Sequence, residues 1–219
     1  MFVEQRKRVS DKIKLMQNKI SQIKTQLVKE IKGSKLCESW FYQEHLLVVE
    51  KLTLNLCKLY PKANKNAVTL SVWFHDIGRA NGHDENHDLY GANYAKKILT
   101  ENNFDENLID LVVNSCKTHS CDKNGKPKSL EGKILATADA LSHYHNGFYL
   151  RILHSWSKKI DNKHYPELTD HPNFPQLRAK LFKKMKRDLD DKIFFDEVRK
   201  KVMPMYEAWQ KVIGEVKLK

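Results

Sequence analysis

The chain has 219 residues, 41% hydrophobic and 30% charged, with four cysteines and a formal net charge of +12. One hydrophobic core can serve that length, no apolar run approaches the roughly 20 residues of a membrane-spanning helix, and the composition excludes a disordered chain. Residues 1–10 are polar and basic with no apolar stretch before a small-residue cleavage site, which predicts a cytoplasmic protein whose cysteines Cys37, Cys57, Cys116 and Cys121 stay reduced.

The charge is uneven. Residues 1–35 hold ten Lys or Arg against three acids, a net +7, and residues 151–219 hold seventeen against ten, again +7, while residues 36–150 come to −2. Three stretches of one helical domain are expected: a basic N-terminal helix (1–35), a central core (36–150) suited to carboxylate chemistry, and a basic helical extension (151–219). The basic ends are either solvated faces or surfaces for a polyanion or an acidic partner.

Apolar residues recur at steps of three and four along nearly the whole chain, the signature of helix. Val9, Ile13, Met16, Ile20, Ile23, Leu27 and Ile31 predict one long amphipathic helix stopped at Gly33, with a narrow stripe suited to a strap across the domain. A second helix is expected over Ser39–Tyr60, ended by Pro61, with Phe41, His45, Val48, Val49, Leu52 and Leu56 facing the core. Asn64 is a good cap for a third, which runs through Val72, Trp73 and Phe74 to His75 and Asp76, with Gly78 as its C-terminal stop. After a loop at 81–86, a fourth helix spans His87–Thr100, where Gly91, Ala92 and Ala95 permit close packing. A fifth starts at Asp105 and ends near His119. Ser129 caps a sixth that contains Ile134, Leu135, Ala138, Asp139 and Leu141. Further helices are predicted over 147–160, 176–188 and 192–212, the last with Pro204 inside it.

Two placements conflict with a purely structural core, because a buried ionised carboxylate is costly unless paired or bound to metal. His75 and Asp76 follow Val72-Trp73-Phe74 where an apolar helix meets a glycine, and Asp139 sits inside Ile134-Leu135-Ala136-Thr137-Ala138. Asp139 needs a lysine, an arginine, a helix N-terminus or a divalent cation to neutralise it. With His45 these residues form a mixed nitrogen and oxygen set suited to Mn, Fe, Co, Ni, Zn or Mg.

The order His45, His75-Asp76-Ile77-Gly78, then Asp139 in Ala-Thr-Ala-Asp-Ala-Leu resembles the HD-domain superfamily of metal-dependent phosphohydrolases over about residues 36–150. The resemblance implies an all-α helical bundle, one divalent metal held by His45, His75, Asp76 and Asp139, and hydrolysis of a phosphate ester or anhydride. It further implies that Asp76 orients or deprotonates the attacking water, and that Arg79, where many members have lysine, grips phosphate or else caps helix carbonyls. His87 and His119 fit the positions from which a second metal or a phosphate is held; a helix cap and a loop histidine are their alternatives. His143 shares the helical face of Asp139 as a partner behind the ligands, while His83, Asp84 and His145 read as surface or structural residues.

A zinc site of Cys116, His119 and Cys121 is a rival that lacks a fourth ligand at motif spacing. No nucleophile elbow and no glycine-rich phosphate loop is present. The resemblance to small HD proteins with a helical tail implies hydrolysis of nucleotides or other small phosphorylated metabolites, and no membrane association is expected. Two alternatives stand beside it. A nuclease or cyclic-nucleotide phosphodiesterase would use Lys180, Lys183, Lys184, Lys186 and Arg187 to track nucleic acid or another polyanion, and a non-catalytic binding module would keep the bundle alone.

Overall fold

In this computed structural model, residues 2–145, 147–161, 163 and 170–215 are described, and they form helices and turns with no strand among them. Helix α1, Phe2–Gly33, buries Ile20, Ile23, Leu27 and Ile31, whereas Ile13 is 57% exposed. Its second half is thus the strap the stripe predicts. Glu30 fastens that half, accepting hydrogen bonds from Asn81 Nδ2 at 2.8 Å and Tyr94 Oη at 3.1 Å.

Three helices of the central bundle start where predicted, two of them at the predicted caps Asn64 and Ser129. The Asn64 side chain accepts from Ala67 N at the head of α3 (Lys65–Phe74), Asp105 from Asn107 N ahead of α6 (Glu106–Thr118), and Ser129 from Gly132 N ahead of α7 (Leu130–Ser142). Each side chain satisfies an orphan N–H of the first turn. Helix α2, Leu47–Leu59, differs from the regular helix expected from Ser39, because residues Phe41–Leu46 form a π-helical turn ahead of it. The wider turn changes the register. Phe41, His45, Leu46 and Val49 all become buried, and Val48 is left half-buried.

Gly78 is not the left-handed helix stop the sequence suggested: α3 ends at Phe74, a single turn α4 follows at Ile77–Ala80, and the positive-φ glycines are Gly82, Gly125 and Gly147. Its role is close approach. A Cβ at Gly78 would lie 2.6 Å from His87 Cα, and one at Gly91, in α5 (His87–Glu101), only 2.3 Å from the carbonyl oxygen of Phe74. The two glycines let α5 lie against the His75-Asp76 corner.

Beyond the bundle come α8 (Phe148–Ile160) and α9 (Phe174–Arg187), a second π-helical turn at Asp188–Lys192, and α10 (Asp196–Glu215), which contains Pro204. The last helix starts four residues later than its pattern predicts. Phe194 N donates to Thr137 Oγ1, and Thr137 Oγ1 donates to the Lys192 carbonyl, so these backbone groups are engaged with α7 and not with a continuing helix. Tyr149, Leu153, Phe174, Leu181, Met185 and Ile193 join the same buried apolar cluster as the central helices.

Candidate metal centre

Three segments bring the predicted quartet together. The π turn before α2 carries His45, the corner between α3 and α4 carries His75 and Asp76, and α7 carries Asp139; all four residues are at least 94% buried. His45 Nε2 lies 3.3 Å from Asp76 Oδ2 and 3.5 Å from Asp139 Oδ1, and His75 Nε2 lies 3.6 and 3.9 Å from the same two oxygens. Three ligand atoms from His45, His75 and Asp76 are close enough to hold one ion, as are sets that draw in Asp139 with His143 or His119.

The tautomers decide what these atoms can do. His75 Nδ1 donates to the Val72 carbonyl at 2.7 Å, His119 Nδ1 to the Cys116 carbonyl at 2.6 Å, and His87 Nδ1 to the Asp84 carbonyl at 2.8 Å. A carbonyl only accepts, so each Nδ1 carries the hydrogen and each Nε2 presents a lone pair when the ring is neutral. His45 reaches the same state by one more step. Ser142 Oγ donates to the Asp139 carbonyl at 2.7 Å, which leaves it to accept from His45 Nδ1 at 2.9 Å.

Burial pushes the pKa of His45 below the ordinary histidine value, that of His75 down to about 3 and that of His87 down to about 4. At neutral pH, then, imidazole lone pairs face carboxylate oxygens across less than 4 Å, an arrangement of acceptors alone. His75 Nε2 has no hydrogen-bond partner among the described residues. A cation between these groups relieves the repulsion and supplies the missing partner, so the donor set fits a divalent metal.

Each carboxylate divides its oxygens between the quartet and a neighbour. Asp76 turns Oδ2 to the quartet and Oδ1 to Arg79 Nε at 3.0 Å, His87 Nε2 at 3.3 Å and His119 Nε2 at 3.7 Å. Asp139 turns Oδ1 inward, where His143 Nε2 also lies at 3.3 Å, and Oδ2 to the ammonium of Lys192. Burial opposes ionisation of both carboxyls, yet Arg79 holds Asp76, and Lys192 holds Asp139, well below the usual carboxylate range. The lysine partner considered for Asp139 and the imidazoles thus coexist on different oxygens.

Arg79 caps no helix carbonyl. Its guanidinium spans Asp76, Asp84 and His87, donating to His87 Nε2 at 3.0 Å. A second ion at Asp76, His87 and His119 would have to displace a guanidinium that already donates to two of the three. His143 donates from Nδ1 to Asp188 Oδ2 at 2.8 Å, and it belongs with His45 and Asp139 to one of the sets close enough to hold an ion. His83 stacks on Tyr90 and lies away from the quartet, Asp84 accepts from Lys159, and half-buried His145 stands outside the cavity lining.

The rival zinc trio does not assemble: the Cys116 thiol turns to the Ser71 carbonyl at 3.7 Å, while His119 Nε2 turns to Asp76. The basic cluster of α9 also divides. Lys184 and Arg187 line the cavity over the quartet, Lys180 sits 4.2 Å above the Trp156 ring, Lys183 is exposed, and Lys186 pairs with Asp190 on the outside. That cavity holds about 370 Å³ and combines His45, Asp76 and Asp139 with an aromatic and apolar wall of Trp40, Phe148, Ile152 and Trp156. Lys192 and Asp188 escape sequence reasoning. The only local signal is that Lys192 borders the apolar run Ile193-Phe194-Phe195.

Residues 42–144 match the HD domain family, so the chain carries an HD domain, of a kind that generally binds divalent metal and hydrolyses its substrates. The matched stretch contains the whole quartet and ends at Tyr144, ahead of α8 and the Lys184–Lys192 region. No curated protein and no solved structure matches the chain.

Proposed function

We propose that the protein is a metal-dependent phosphohydrolase that acts on nucleotides or other small phosphorylated metabolites. The observation that carries this reading is the convergence of lone-pair nitrogens of His45 and His75 with Asp76 and Asp139, three of these residues lining one cavity. His45, His75, Asp76 and Asp139 would hold one divalent ion. Such an ion lowers the pKa of water, polarises a phosphoryl oxygen and offsets charge that develops in the transition state.

The chain's own residues would then divide the work. Asp76 Oδ1, at the cavity edge of the quartet, orients the attacking water and accepts its proton. Arg79 is held over the cavity by Asp76, Asp84 and His87, so its remaining N–H groups can bind a non-bridging phosphate oxygen. His119 Nε2 stands 3.7 Å from Asp76 Oδ1. The aromatic wall of Trp40 and Trp156 would cover the organic part of the substrate and exclude water.

A volume near 370 Å³ suits one small molecule. It favours that substrate class over a polynucleotide, and so does the division of the α9 lysines, which offer no continuous basic track. The test is elemental analysis of the purified protein, followed by a screen of divalent metals against mononucleotides, sugar phosphates, cyclic dinucleotides and single strands. Turnover of mononucleotides or small esters only with added metal is the expected result. Cleavage of strands alone would move the assignment to a nuclease, and no turnover with any metal would leave the binding module.

A further inference from the structure

Every buried charge around the quartet already has a counter-charge. Asp76 pairs with Arg79, Asp139 with the 96% buried Lys192, and Asp188 with Lys184 at 3.0 Å. Nearer solvent Asp84 pairs with Lys159 and Asp122 with Arg187, while the exposed Glu38 and Glu85 also line the cavity. In a site whose carboxylates stand free, a divalent cation is neutralised by the two acids that bind it. Here both acids have lent their charge to a lysine and an arginine, and the metal-ligating imidazoles are neutral. A divalent ion entering this quartet therefore leaves a net charge of about two positive units in a largely buried space, which is costly unless an anion follows.

We propose that a divalent metal and a phosphate-like dianion bind this cavity as a coupled pair, each raising the other's affinity, and that Lys192 is the residue that makes them depend on one another. The proposal rests on the ligand set given under Proposed function. Lys192 lies outside the HD match, in the π turn after α9; it is one of the residues that line the cavity, and its ammonium touches Asp139 Oδ2. It is thus placed to share itself between that carboxylate and an incoming phosphoryl oxygen. Arg79 has the same double placement on the opposite carboxylate. A dianion in this cavity would find both cations within the same lining that holds the ligand set. The physical benefit is selectivity in time: the ion is gripped firmly only when a phosphoryl group is present.

The test is a binding measurement without turnover. Titrating Mn²⁺ into the full chain at mildly alkaline pH, with methylphosphonate present or replaced by chloride at equal ionic strength, should give an affinity about tenfold higher with the phosphonate. By reciprocity the phosphonate should bind tighter in Mn²⁺ by the same factor. Lys192→Met should tighten Mn²⁺ binding by itself and shrink the coupling severalfold, whereas Lys192→Arg should keep it. Mn²⁺ binding that ignores the phosphonate overturns this inference and leaves the metal site standing. Weaker Mn²⁺ binding in Lys192→Met also overturns it, since Lys192 would then only orient Asp139. Absence of Mn²⁺ binding under both conditions removes the ligand set itself, and the inference with it. Should Lys192→Met fail to fold, the wild-type comparison decides alone.

Discussion

Residues 42–144 and residues 148–215 line one cavity, but they bring different groups to it. The HD segment supplies the two carboxylates and the imidazoles around them, oriented by bonds to backbone carbonyls, to Ser142 and to Asp188, with Arg79 as its own counter-cation. Among the described residues the later segment supplies cations, Lys159, Lys184, Arg187 and Lys192, together with Asp188 and the apolar side chains Phe148, Ile152 and Trp156. Phe148 lies stacked at 4.1 Å on the ring of His143. The difference teaches that a reactive group and its counter-charge are located by different physics. An acid inside an apolar run is out of place in its own segment, while a lysine in a lysine-rich segment is not.

The sharpest way to test the division is to remove one carboxylate at a time. Asp76→Ala and Asp139→Ala should each lower metal-dependent hydrolysis by about a thousandfold or more, read by steady-state kinetics, with helical content by circular dichroism near wild type. Survival of activity in either variant would take that residue out of the site. The two should differ in stability. Asp139→Ala strands Lys192 in the interior and should lose about 3–5 kcal/mol, whereas Arg79, 36% exposed, can turn to water after Asp76→Ala. Equal melting temperatures would mean that Lys192 does not depend on Asp139.

Next in size is the packing that sets the HD corner. Gly91→Ala places a methyl against the Phe74 carbonyl and should destabilise the protein by about 3 kcal/mol in denaturant titration, with weaker Mn²⁺ binding because His75 follows the displaced turn. A neutral outcome would show that α5 can shift without moving the ligand.

The pH response should come from the HD segment as well. The folded values of His45, His75 and His87 lie below the ordinary 6.5, so the unfolded chain binds more protons between the two values. Their contribution is complete above about pH 6.5 and is lost as pH falls toward the folded values. The melting temperature of the metal-free protein should drop by roughly 5–10 °C between about pH 7 and about pH 5. Asp76 and Asp139, held far below that window, take no part in it. A flat profile would mean that the imidazoles are charged in the fold.

The smallest effect is expected on the outer face of the later segment. Lys183→Glu with Lys186→Glu should change stability by less than about 0.5 kcal/mol and leave hydrolysis of a small ester intact, because Lys183 is exposed and Lys186 pairs only with Asp190. Lys184, by contrast, belongs with Asp188 and His143, and its reversal should impair the site.

The helix starts at Asn64, Asp105 and Ser129 were legible because a cap is a contact between residues two or three apart. The quartet was legible as a list of residue types, and His143 behind Asp139 followed from their i, i+4 spacing. The π turn at Phe41–Leu46 was not, since its pattern of apolar residues also suits a regular helix. Nor was the reason for Gly78, whose neighbour His87 stands nine positions on, across a turn and a loop.

What the amino-acid order determined by itself was an all-helical chain with an HD segment and the four side chains able to ligate a metal, because periodicity, caps and misplaced acids are properties of neighbouring residues. Only the tertiary structure decided which oxygen of each carboxylate faces the quartet and which faces a cation. That choice depends on Lys192 reaching Asp139 across 53 positions and on Asp188 reaching His143 across 45. Chain neighbours cannot encode such meetings; the packing of α9 and its π turn against α7 brings them about.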